Sequence, residues 1–200
     1  MTRRTASVLI AGATIAGAQT LQQGERDRAM SHLHATRKLF LDAVANITLE
    51  QWNWKPAPDV WSMGEVAEHI AVSEQTIFAL VKKMMNAPAA PEALAKVNKG
   101  NDEKVLTAVV DRSQKFQAPE MLQPKRRFAN KDELVSQFKK DRDATIEYVQ
   151  TTQDALRAHA GPHPALQMLD CYQWILLISA HSERHTLQLK EVMTKAGFPK

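Results

Sequence analysis

The sequence predicts an all-α fold, a four-helix bundle with one or two short extra helices. Three observations predict it. Apolar residues return at three-, four- and seven-residue steps in four long segments, prolines fall between those segments, and no stretch alternates as a strand would. Its 200 residues suffice for one domain with its own core.

The first helix is expected from about Arg26 to Asn46, with Met30, Leu33, Phe40, Val44 and Ile47 on one face. Thr48 to Asp59, with two prolines and two tryptophans, reads as a packed loop. Ser62 stands where an N-cap belongs, with Glu65 as its capping-box partner, and opens a helix to about Asn86 with Val66, Ile70, Ile77, Leu80, Val81 and Met84 inward. Pro88 and Pro91 break the chain. A short turn over Pro91 to Lys99 and a helix from Asp102 to Phe116 follow, the latter with Val105, Val109 and Phe116 inward. Asn130 or Asp132 caps a long helix to about Ala160, with Leu134, Phe138, Thr145, Tyr148, Val149 and Leu156 on one side. Gly161-Pro162-His163-Pro164 reads as a stop. The last helix starts at Ala165 or Asp170, runs to Ala196 and ends at Gly197.

Met1 to Ala18 reads as an export signal: Arg3 and Arg4 form a positive start, Ala6 to Ala18 a small, apolar run, and Ala16-Gly17-Ala18 a cleavage pattern. The bundle domain is then expected over residues 24–197, in the periplasm or secreted, with no membrane attachment after cleavage. A formal charge of +4 and the short basic run Lys125-Arg126-Arg127 give no footprint for nucleic acid. The lone Cys171 forms no internal disulfide and reads as a buried, inert thiol.

The histidines carry the chemistry. His181 and His185 are four residues apart, one above the other on a helix, and both fall within the apolar stripe Trp174, Ile178, Leu189, Val192. His69 falls on or beside the inner face of the second long helix. Buried imidazoles need partners, and one shared divalent metal ion would satisfy all three. The competing reading is a set of core histidines bonded to backbone and water. His32, His34, His159 and His163 read as surface or capping residues, and the four tryptophans as core or cleft-wall residues.

The run Trp54-Lys-Pro-Ala-Pro-Asp-Val-Trp61-Ser62-Met-Gly-Glu65-Val66-Ala-Glu-His69-Ile70, together with Asp170-x-x-Gln-Trp174 and His181-x-x-x-His185-x-x-Gln188, resembles the DinB/YfiT-like superfamily from about Arg26 to Ala196. The resemblance implies an up-down-down-up bundle with a metal held by His69, His181 and His185. The metal would be Zn, Ni, Fe or Mn, and homodimers are common among relatives. Those relatives include thiol S-transferases and a mycothiol-dependent maleylpyruvate isomerase. The export signal departs from a thiol-based role, since low-molecular-weight thiols are chiefly cytosolic.

Two functions are therefore expected. One is a metal-dependent hydrolase or thiol transferase acting on a small molecule, and the other is a non-catalytic bundle that holds a metal or small ligand.

Overall fold

Helix starts follow the capping chemistry. The Ser62 hydroxyl accepts the Glu65 N–H while the Glu65 carboxylate takes the Ser62 N–H; Asn130 caps through the Glu133 N–H and Asp170 through the Gln173 N–H. The computed structural model describes residues 20–98 and 100–200. In chain order its helices are α1 (Gln23–Val44), α2 (Leu49–Asn53), α3 (Met63–Met85), α4 (Pro91–Leu94), α5 (Asn101–Ala108), α6 (Lys131–Thr151) and α7 (Cys171–Met193). The export signal read over residues 1–18 lies outside the described residues.

The four long helices form a square. α1 and α3 each pack against both α6 and α7. Direction follows from the pairings. Arg26 near the start of α1 donates to the Val149 and Thr152 carbonyls at the end of α6, so those two helices are antiparallel. The Tyr172 hydroxyl donates to the Glu25 carbonyl, start to start, so α1 and α7 are parallel. The topology is up-down-down-up, as the resemblance implied.

The core is in two parts. One apolar cluster includes Leu33, Ile77, Val81, Val149, Ile175 and Ile178; the other includes Phe40, Val66, Ile70, Phe138, Leu189 and Val192. Between them lies a polar belt. Arg142 of α6, fully buried, makes a double hydrogen bond to the Glu74 carboxylate of α3 (2.7 and 2.7 Å). It also donates to the Leu33 carbonyl and Thr36 Oγ1 of α1 and to Ser182 Oγ of α7. All five guanidinium N–H groups have partners, which buried charge demands.

Several expectations are corrected. Thr48 to Asp59 contains α2, capped by Thr48 and Gln51. α5 stops at Ala108, because Asp111 folds onto the Ser113 N–H and hydroxyl, and Phe116 is exposed rather than inward. α6 ends at Thr151, where Thr152 Oγ1 takes the Asp154 N–H and turns the chain; only a 3₁₀ turn, Leu156–Ala158, follows. The region expected to be free of strands holds an antiparallel hairpin, β1 (Ala160–His163) with β2 (Gln167–Asp170). Its turn is closed by His163 Nδ1, which accepts the Ala165 and Leu166 N–H groups, and by Gln167 in the left-handed region (φ 63°). α7 therefore begins at Cys171. Among the described residues no helix is long and apolar enough to cross a membrane.

Candidate metal centre

α3 and α7 run antiparallel and side by side, which puts one turn of each face to face. His69 of α3 and His181 and His185 of α7 meet there. One ring nitrogen from each lies within 4.8 Å of the others, and the ring centroids are 4.4–4.9 Å apart. The four-residue spacing on α7 stacks two rings, and the antiparallel register brings the third between them. All three histidines singled out in the sequence are thus brought together.

Their outer nitrogens are anchored. His69 Nδ1 donates to the Leu122 carbonyl at 2.8 Å. His185 Nδ1 donates to Gln188 Oε1 at 2.8 Å, and Arg112 directs an N–H to the same oxygen at 3.5 Å while forming a double ion pair with Glu191. A carbonyl oxygen only accepts, so each Nδ1 carries the hydrogen; these tautomers are assigned from the partners. Burial holds His69 below its ordinary pKa. It pushes His185 down to about 3 and His181 well below 6.5, with the neighbouring imidazoles adding to the effect on His181 and His185. The rings are therefore neutral at pH 7, and Nε2 of His69 and of His185 carries a bare lone pair.

Those two atoms face each other at 3.2 Å. Two lone pairs with no hydrogen between them repel, so the arrangement calls for an electrophile. Two nitrogens bound tetrahedrally to zinc at about 2.05 Å are roughly 3.3 Å apart, so the donor set fits a divalent ion. Its outer hydrogen bonds are those that orient metal-ligating imidazoles elsewhere.

A long crossover between α5 and α6 walls the site. Arg184, beside His185, donates to the Val109, Asp111 and Gln114 carbonyls and so fixes the first half of the crossover. Glu68, beside His69, fixes the second half by accepting the N–H groups of Lys125, Arg126 and Arg127. Trp61 packs on His69 with ring centroids 5.2 Å apart. The other tryptophans are not packed on the triad: Trp52 lies against Gly64, Trp54 against Phe198 and Trp174 against His163. His181 and His185 keep part of their surface exposed, whereas His69 is buried. The sequence reading missed the Leu122 carbonyl and Glu68. Only Gln188, in the last-helix motif, was visible beforehand.

Comparison with known proteins identifies the family and the fold. The family model for the DinB superfamily matches residues 32–189. An uncharacterised protein, YuaE of Bacillus subtilis (strain 168), is 29% identical over 171 residues, which cover 83% of this chain and 98% of that one. A solved structure of YfiT from Bacillus subtilis, described as a probable metal-dependent hydrolase with an unusual four-helix bundle topology, is similar in fold. Its TM-score is 0.58 at 13% identity, over 90% of this chain and 92% of that one. The chain belongs to the DinB superfamily, with a YfiT-like four-helix bundle fold.

Proposed function

We propose that the protein binds one divalent metal ion through His69, His181 and His185 and hydrolyses a small-molecule substrate there. The observation that carries the reading is the convergence of one ring nitrogen from each of the three histidines within 4.8 Å, with Nε2 of His69 and of His185 3.2 Å apart and their outer nitrogens anchored. A bound divalent ion on neutral imidazoles keeps its full charge and supplies Lewis acidity near neutral pH.

The chain's residues do the rest. Depressed imidazole pKa values keep protons from competing for the ligand nitrogens. Partial exposure of His181 and His185 leaves an approach for substrate, while Trp61 and the crossover exclude water from the His69 side. The ligand set contains no carboxylate, so nothing anionic reduces the ion's charge. The hydrolytic description of YfiT supports this reaction class; thiol transfer rests on family resemblance alone. Export to the periplasm or outside, and a homodimer, belong to the same proposal and rest on the sequence and the family. The metal would be Zn, Ni, Fe or Mn.

Elemental analysis of protein purified without chelator, beside a His69→Ala/His181→Ala/His185→Ala variant, tests the first half. About one equivalent is expected in the wild type and none in the variant, and equal content in the two would refute metal binding at this site. Turnover of ester, amide and phosphoester probes by the loaded wild type tests the second half. A loaded protein that turns over none of them is a metal- or ligand-binding bundle, the non-catalytic alternative.

A further inference from the structure

Glu68 and His69 are adjacent on α3, and both hold the same stretch of the crossover. The Glu68 carboxylate, buried in the fold, accepts three consecutive backbone N–H groups, from Lys125, Arg126 and Arg127, at 2.8, 3.0 and 3.2 Å. It also accepts Arg127 Nη1 at 3.0 Å. Arg127 returns to the loop, donating to the Gln123 carbonyl at 2.8 Å and the Met121 carbonyl at 3.0 Å. Residues 121–127 are thereby closed into a ring around one carboxylate. Arg126 sits at φ 58°, a conformation side chains adopt rarely and only when the surroundings hold them there. Leu122 lies inside this ring, and its carbonyl takes the His69 Nδ1 hydrogen.

We infer that Glu68 is a positioning residue for the metal centre: through residues 121–127 it places the Leu122 carbonyl, and so fixes which nitrogen of His69 faces His181 and His185. The inference rests on the metal reading for its consequence and on geometry alone for its cause. Coupling runs both ways. An ion held at His69 Nε2 favours the Nδ1–H form and so favours the ordered loop, and the ordered loop favours the ion.

The test compares wild type with Glu68→Gln, which keeps the shape but replaces one acceptor oxygen with a donor. Glu133→Gln serves as a control, because Glu133 anchors Ala129 at the far end of the same loop without touching residues 121–127. Three readouts are used: cobalt(II) affinity with its visible spectrum, the His69 tautomer by long-range nitrogen NMR of the metal-free protein, and tryptic nicking after Lys125, Arg126 or Arg127. Glu68→Gln is expected to weaken cobalt binding roughly 10–100-fold, the usual range for residues that orient ligands. It is also expected to mix the His69 tautomers and to speed nicking, which cobalt slows in the wild type. Glu133→Gln should leave the cobalt affinity and the tautomer unchanged.

Unchanged tautomer and unchanged cobalt affinity in a folded Glu68→Gln protein would overturn the inference. If the wild type itself takes up no cobalt, the metal reading falls separately. The tautomer and nicking then decide for or against Glu68. Should Glu68→Gln fail to fold, Arg127→Met opens the ring by removing one donor to Glu68 and both return bonds, and it is held to the same outcomes.

Discussion

Replacing Arg142 with methionine should be among the most damaging single changes in the bundle. The Arg142 side chain is 0% exposed and that of Glu74 is 1% exposed, with both carboxylate oxygens at 2.7 Å from guanidinium nitrogens. Methionine fills much of the space but leaves a carboxylate in a dry interior without its cation. The neutral acceptors suffer less. Thr36 Oγ1 still donates to the His32 carbonyl, and the Leu33 carbonyl and Ser182 Oγ lose one bond each. The stranded Glu74 therefore dominates, at about 3–5 kcal/mol. That is a large share of the ~5–15 kcal/mol typical of a whole domain. At roughly 2–4 °C per kcal/mol for a chain of this size, the midpoint should fall by about 6–20 °C.

Urea unfolding of the chelated protein measures the loss without a contribution from bound metal. The informative comparison is the double variant Arg142→Met/Glu74→Leu. With both charges gone, no ion is stranded, and stability should return to within about 1 kcal/mol of wild type. A single variant costing less than about 1 kcal/mol would refute this account of the belt, as would a double variant less stable than the single.

Other sites give sharper, smaller tests. A Cβ at Gly64 would lie 2.5 Å from Trp52 Nε1, so Gly64→Ala should cost about 1–3 kcal/mol of overpacking despite its better helix propensity; a gain in stability would show that the indole moves freely. Burial, with Asp170 adding, pushes the Cys171 thiol up to about 12, so at pH 8 it should resist aromatic disulfide reagents until the protein is unfolded. Below pH 6.5 the unfolded metal-free chain takes up protons that the folded imidazoles refuse. Stability present above pH 6.5 should then fall as pH drops, down to about 3 in the case of His185, at up to about 1.4 kcal/mol per pH unit for each site histidine that still refuses its proton. Urea midpoints for wild type and the triple alanine variant that vary equally with pH would contradict this. Gln188→Leu frees His185 Nδ1 and should weaken cobalt binding by roughly 10-fold or more, read by titration.

The long helices were legible because burial imposes a period on residue types. The triad was legible because its members interrupt that period with imidazoles. Arg142 was legible in principle, since it falls one helical turn beyond Phe138 on the inward stripe of α6, and Glu74 sits between Ile70 and Ile77 on α3. What residue type could not convey is which charge meets which across helices. The hairpin was hidden for a different reason. Its strands are four residues long, and Gly161-Pro162-His163-Pro164 carries the letters of a helix stop. The Leu122 carbonyl was invisible in kind, because every residue carries one and only the tertiary fold selects it.

The polar belt itself holds the strongest internal argument for a ligand at the histidines. Around Arg142 five donors meet five acceptors with none left over, so the guanidinium at the centre of the belt is fully satisfied. On the neighbouring turns of α3 and α7 the same interior leaves Nε2 of His69 against Nε2 of His185, and Ser73 Oγ is buried one turn further along α3 without a partner. Apolar side chains at 69, 181 and 185 would cost the metal-free bundle less, since they remove the facing Nε2 atoms of His69 and His185, between which the assigned tautomers leave no hydrogen. A ligand that binds only the folded state repays such a cost by linkage, about 4.1 kcal/mol at a thousand times its dissociation constant. On this reasoning the metal-free triad is the destabilised element of the fold. Metal-free wild type should therefore melt lower than the triple leucine variant, and adding cobalt should reverse the order.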